Sequence, residues 1–174
     1  MGKVEKIGII KFDIALIQKG LTGEFIGKTK KEKIALTEDD IRKYFQDGRR
    51  VSFIIERSVA KILGGKLAES EKKGYDIILQ NGEKWEIRSI TKRGVYFTPS
   101  NQVGKGRKFD EEGFKKKLDD IKGYILADVT NFPEIVLYMV PSEVVRQWWE
   151  AGKLGKTAKV SYSTIKELLE RSLG

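Results

Sequence analysis

Two alternating runs meet at Asn81-Gly82 in GYDIILQNGEKWEIRS, residues 74–89, and that dipeptide commits the stretch to a β-hairpin. It leaves the register open. In a two-residue type I′ turn, residues whose numbers sum to 163 lie opposite, and Asp76 faces away from Glu86. In a three-residue loop, Gln80-Asn81-Gly82 with Gly82 left-handed in a G1 bulge, the sum becomes 162 and Asp76 sits across from Glu86. Side-chain alternation selects the second register. It gathers Tyr75, Ile77, Leu79, Trp85 and Ile87 on one face and Asp76, Lys84, Glu86 and Arg88 with Ile78 on the other; the first scatters apolar and charged residues over both.

Opposed residues have Cβ atoms roughly 4.5–5.5 Å apart, and two like charges at that separation destabilise a sheet. A salt bridge to Arg88 or Lys84 compensates. A Mg²⁺ ion taking one oxygen from each carboxylate is the other means, although the pattern taken alone favours the salt bridge.

The neighbouring sequence places this hairpin in a mixed α/β chain, a sheet flanked by helices. LTEDDIRKYFQDG reads as a helix with Thr37 as N-cap, acids in its first turn and Gly48 past its end. A longer helix is expected over 50–63, with Val51, Ile55, Val59 and Ile62 at helical spacing. Glu56 shares a stripe with Phe53, Ala60 and Leu63, so it borders the apolar arc. After the hairpin come a strand at GVYFTPS, a basic loop at NQVGKGRKF and a helix over 111–122 capped by Asp110 and ended by Gly123. Two strands, YILADVT and EIVLYMVP, a helix capped by Ser142 and a last helix over 164–173 complete the chain. The first 35 residues, with Gly20, Gly23 and Gly27, read as strand and loop. With no linker or repeat, the expectation is one domain over 1–174: an N-terminal embellishment over 1–49, a core over 50–140 and C-terminal helices over 141–174.

Composition narrows the chemistry. Without cysteine there is no disulfide, thiol nucleophile or cysteine zinc site. Without histidine, the commonest general base and the usual triads are absent, so any catalysis runs on carboxylates, lysine, arginine, hydroxyls or a hard metal ion. A formal charge of +9 favours a polyanionic partner, and nucleic acid fits an intracellular chain best. No window approaches the apolar length of a membrane span, and a cytoplasmic location follows as the expectation.

Asp76, the triplet Glu86-Ile87-Arg88 and the helix glutamate Glu56 together resemble the PD-(D/E)XK nuclease superfamily, most closely its type II restriction endonucleases. The resemblance covers residues 51–140 and implies a restriction-endonuclease-like core around a central mixed sheet. Two positions depart from the pattern. Tyr75 stands where proline is common, a variable place; Arg88 stands where lysine is usual, and an arginine keeps its proton and can only hold a phosphate oxygen or stabilise negative charge.

The resemblance implies metal-assisted phosphodiester hydrolysis. Asp76, Glu86 and the Ile87 carbonyl would bind Mg²⁺, or another divalent ion such as Mn²⁺; Arg88 would clamp a non-bridging oxygen, and Glu56 would orient a water or support a second ion. In TKRGVYFTPSNQVGKGRKF, the cations Lys92, Arg93, Lys105, Arg107 and Lys108 are interleaved with Ser100, Asn101 and Gln102, side chains able to read base edges. Trp148-Trp149 reads as core packing, and GKLGK at 152–156 lacks the spacing of a phosphate loop. The expected function is a Mg²⁺-dependent, sequence-specific double-strand DNA endonuclease acting as a homodimer. A structure-selective nuclease of junction-resolvase type and a non-catalytic DNA- or RNA-binding protein are the alternatives.

Overall fold

The computed structural model describes residues 2–15, 21–70 and 73–173; Gly20 lies outside them. Its centre is a six-stranded mixed sheet in the order β1-β9-β8-β6-β5-β4, formed by β1 (Glu5–Lys11), β4 (Lys66–Leu67), β5 (Ile77–Ile78), β6 (Lys84–Ile90), β8 (Gly123–Asp128) and β9 (Glu134–Pro141). Only β6 and β8 pair in parallel; the other neighbours are antiparallel.

The apolar run YILA in β8 explains why helices cover both faces. Every residue of β8 is buried, as in strands sandwiched between layers. Tyr124 and Leu126 pack with Phe114, Leu118, Val145, Trp148 and Ile165, whereas Ile125 and Ala127 pack with Ile41, Val51, Ile55 and Val59. The first set brings in α3 (Glu111–Asp120), α4 (Ser142–Glu150) and α5 (Tyr162–Leu173), the second α1 (Glu38–Phe45) and α2 (Gly48–Leu63). The expected mixed α/β architecture, a sheet between helices, is therefore present.

Local chemistry sets the helix ends that matter here. Thr37 and Asp40 form a reciprocal capping box on α1. Gly48 opens α2 behind its N-cap Asp47; it does not close α1. The buried stripe of α2 is Val51, Ile55 and Val59, and it ends there: Phe53 and Ile62 stay 61% and 54% exposed, Phe53 with the Arg57 guanidinium over its ring. The apolar arc is thus narrower than the spacing implied.

Four further expectations are corrected. The strand at GVYFTPS shrinks to β7 (Val95–Tyr96), which pairs with β10 (Lys159–Val160) outside the central sheet, because β5 and β8 already occupy both edges of β6. The helix after the basic loop stops at Asp120, and Gly123 begins β8. Glycine is needed there for packing: a Cβ would meet the Val140 carbonyl and the Trp85 ring. Ser142 is the first residue of α4 and caps nothing; its hydroxyl donates to the Ile121 carbonyl at 2.9 Å. Tyr75 leaves the face of Ile77 and packs against the opposite cluster, since the ladder begins only at Ile77. Before residue 50, β1 extends the sheet beside β9, and β2 (Thr22–Ile26) pairs with β3 (Lys31–Ala35) as a separate exposed hairpin. Trp148 is buried, and Trp149 packs on Phe109 and Phe114.

Candidate metal and phosphodiester site

The hairpin adopts the three-residue loop. Ile77 pairs with Trp85 and Ile78 with Lys84, so paired numbers sum to 162. The Leu79 N–H donates to the Glu83 carbonyl at 2.9 Å, the Gly82 N–H to the Leu79 carbonyl at 2.9 Å, and Gly82 has φ 86°. The regular ladder ends one rung short of the two acids. The Asp76 N–H donates to the Trp85 carbonyl at 3.0 Å, and the Ile87 N–H, which the next rung would direct to residue 75, donates instead to Asp76 Oδ2 at 2.7 Å. A carboxylate thus replaces a backbone carbonyl at the place where the strand peels away.

Glu86 is 6% exposed, a burial that a carboxylate tolerates only with close partners. Arg88 donates to its Oε1 at 3.1 Å, and the Lys117 Nζ lies 2.7 Å from its Oε2. Oε2 has no well-angled hydrogen bond, so the lysine contact is a charge contact with poor alignment. Arg88 also donates to the Thr98 carbonyl at 3.2 Å, and Lys117 to the Gly74 carbonyl at 2.5 Å. Below them the phenol of Tyr124 donates to the Phe97 carbonyl at 3.1 Å; burial pushes its pKa well above that of a free phenol, so it stays neutral.

Asp76 differs from Glu86. Among the described residues no lysine or arginine forms an ion pair with it. Burial first, then the charge of Glu86, pushes its pKa up to about 6; the Ile87 N–H and the more distant charge of Arg88 act against this, and Glu56 adds to it. Glu56 reaches the site from α2 and lines a cavity of about 160 Å³ together with Asp76, Arg57, Ala68, Ser70 and Tyr75. Glu86 and Glu56 therefore both act electrostatically on Asp76.

Among the described residues no three acidic side chains converge tightly enough to hold a metal ion. The donor set that remains, Asp76, Glu86 and the Ile87 carbonyl, suits a hard ion that keeps several waters, as Mg²⁺ does. Two observations fit such an ion: Glu86 Oε2 is buried without an aligned hydrogen bond, and the proton affinity of Asp76 is raised, first by burial and then by the charge of Glu86.

The basic residues divide into two groups. Lys92 and Arg93 are exposed in the turn between β6 and β7, roughly 20 Å along the strand from Glu86 at 3.3 Å per residue. Ser100, Asn101, Lys105, Arg107 and Lys108 are exposed in the segment between Thr98, whose carbonyl holds Arg88, and α3, which carries Lys117. That segment is thereby anchored at both ends to residues touching Glu86. Two of its members are engaged internally: Gln102 Oε1 accepts the Asp110 N–H at 3.0 Å, and Arg107 donates to the Ser100 carbonyl at 3.3 Å.

Lys117 was not among the expected site residues. Its signal is faint: in the run Lys115-Lys116-Lys117 it lies nearest the arc of Phe114, Leu118 and Ile121 that α3 turns to the sheet. Compared with models of known protein families and with curated proteins, the chain matches none.

Proposed function

We propose that the protein is a Mg²⁺-dependent endonuclease acting on double-stranded DNA, sequence-specific and of restriction type, working as a homodimer. The observation that carries this reading is the approach of Asp76 and Glu86 at the mouth of the hairpin, just past the last rung of the ladder, the first in no ion pair among the described residues and the second buried. A purely structural hairpin gains nothing from such an arrangement. The order of helix α2, hairpin β5–β6, helix α3 and strand β8, with the acids at the hairpin's open end, also supports it.

Asp76, Glu86 and the Ile87 carbonyl would hold the ion, which when bound supplies an acidified water and neutralises charge developing on the phosphate. Asp76 must be unprotonated to serve as a ligand, which places its working range above pH 6. Arg88 is fixed by Glu86 and Thr98, so it offers a permanent positive charge to a non-bridging oxygen without titrating. Glu56 shares the cavity of Asp76 and is placed to orient water there. Lys105, Lys108 and Arg107 would hold the backbone of the duplex, while Ser100 and Asn101 face solvent where base edges can be read. Two-fold symmetry would let one protomer act on each strand of a palindrome.

One observation favours a second reading, a non-catalytic DNA- or RNA-binding protein: Glu86 already has two cationic partners. Plasmid, relaxed duplex and four-way junction DNA incubated with the protein and Mg²⁺ separate the readings. Discrete fragments that vanish with EDTA and in Asp76→Asn support the restriction reading. Cleavage confined to the junction supports a structure-selective nuclease, whereas retardation of all substrates without cleavage overturns the nuclease reading. Among the described residues no helix is long and apolar enough to cross a membrane; a cytoplasmic location is part of the proposal.

A further inference from the structure

Glu86 Oε2, an oxygen that the proposed metal ion would use, is in contact with Lys117, whose side chain is 14% exposed. Lys117 comes from α3, outside the hairpin, and donates at the same time to the carbonyl of Gly74, two residues before Asp76. One ammonium thus bridges the buried acid and the segment leading to the other acid.

We propose that Lys117 is an internal counter-ion that holds the metal site closed, and that a divalent ion must displace it from Glu86 to bind. The inference rests on the metal-dependent reading above. The steric argument is one of space: an ammonium 2.7 Å from Oε2 crowds one approach to that oxygen, and an ion about 2.1 Å away cannot take the same approach while the ammonium stays. The electrostatic argument points the same way. A divalent cation and an ammonium repel in a site of low dielectric constant, and Arg88 already supplies one positive charge to the same carboxylate through Oε1. Displacement also breaks the Lys117 bond to Gly74, so metal binding and the freedom of the Gly74–Asp76 turn are linked in one step. Lys117 is in this account a positioning residue, acting through Glu86.

The test measures Mn²⁺ binding by calorimetry on the full chain, for wild type, Lys117→Met, and Lys105→Met as a control that removes the same charge from an exposed position. Lys117→Met is expected to bind Mn²⁺ at least tenfold more tightly than wild type, with Lys105→Met within twofold of wild type. Equal affinity in wild type and Lys117→Met overturns the counter-ion proposal and leaves the metal reading standing; absence of Mn²⁺ binding in all three proteins overturns the metal reading itself. A second measurement needs no variant. Reductive methylation of the wild-type protein, read by mass spectrometry with Lys105 as reference, is expected to modify Lys117 several-fold faster in saturating Mn²⁺ than without it. An unchanged rate in a protein that binds Mn²⁺ overturns the proposal.

Discussion

The Asp76 carboxylate accepts the N–H of Ile87 at 2.7 Å, across the hairpin and eleven residues along the chain, while the charge of Glu86 bears on the same group. The bond and the charge oppose one another, and burial decides between them in favour of the protonated acid. Function and stability therefore make opposite demands on Asp76: a metal ligand must be ionised, and the fold without metal is better served when it is not.

That conflict gives a pH dependence. The folded-state pKa of Asp76, about 6, lies above the ordinary value of 3.8, so the stability it contributes is full below pH 3.8 and is lost as the pH rises through 6. Asp76→Asn keeps an oxygen for the Ile87 N–H and removes the charge. At pH 8 without divalent ions the variant should be more stable than wild type by on the order of 2–3 kcal/mol in urea unfolding, and the difference should shrink towards pH 4. Saturating Mg²⁺ should narrow the gap at pH 8 by stabilising wild type alone. A gap independent of pH would show that the group is not titrating in this range.

Glu86 makes the opposite case. Replacing it by glutamine leaves Arg88 and Lys117 as two cations, mostly buried, facing a neutral amide. Breaking one side of such a pair typically costs 3–5 kcal/mol. Glu86→Gln should accordingly lower Tm by roughly 6–20 °C for a chain of this length, at about 2–4 °C per kcal/mol. A thermal melt unchanged from wild type would mean that the two cations relax into solvent without strain. For activity measurements Asp76→Asn is the cleaner substitution, because it leaves both ion pairs in place.

How much of this was legible in the chain depends on the range of the interaction. The hairpin register followed from alternation alone, because shifting it by one residue would turn Ile77, fully buried, to the charged face. The helix order followed from periodicity and chain order, whereas the meeting of Glu56 with Asp76 was expected only from the resemblance to the nuclease pattern. Three features were not legible, each set by tertiary competition. Strand β7 was excluded from the sheet because both edges of β6 were taken. The last turn of α3 was lost to β8, whose first residue must be glycine beneath Trp85. Lys117 meets Glu86 across a separation of 31 residues that only the packing of α3 on the sheet closes.

The exposed segment after Thr98 yields a prediction about DNA. Lys105 and Lys108 have no internal partner among the described residues, whereas Arg107 is held by the Ser100 carbonyl. If these cations meet phosphates, each alanine substitution should reduce the slope of log affinity against log salt by about 0.9. Lys105→Ala is expected to show this loss in fluorescence anisotropy on a duplex, with Lys92→Ala as the comparison, since Lys92 lies at the far end of β6. Equal effects at Lys92 and Lys105 would place the duplex along the whole strand, and an unchanged slope in Lys105→Ala would remove this segment from the interface.

Gly82 and Gly123 separate two physical reasons for glycine within one structure. Gly82 has φ 86° and open space around a Cβ, so alanine there meets only backbone strain, about 1–2 kcal/mol for a left-handed residue. Gly123 has no such conformation, but its Cβ would stand 2.3 Å from the Val140 carbonyl oxygen, 2.7 Å from the Trp85 ring and 2.8 Å from Pro141 Cα. Relief there requires β8 to separate from β9 or Trp85 to move out of the core, since the backbone on one side and the buried indole on the other leave no flexible neighbour to give way. Overpacking of this kind costs at least 1–3 kcal/mol, and with backbone involved the cost should exceed that of Gly82→Ala by 2 kcal/mol or more. Urea unfolding of the two variants measures the difference. Because Trp85 immediately precedes Glu86, Gly123→Ala should also disturb the site, whereas Gly82→Ala should leave Mn²⁺ affinity within twofold of wild type; a larger loss in Gly82→Ala would mean that the bulge holds the two acids in register and that the core of the sheet does not.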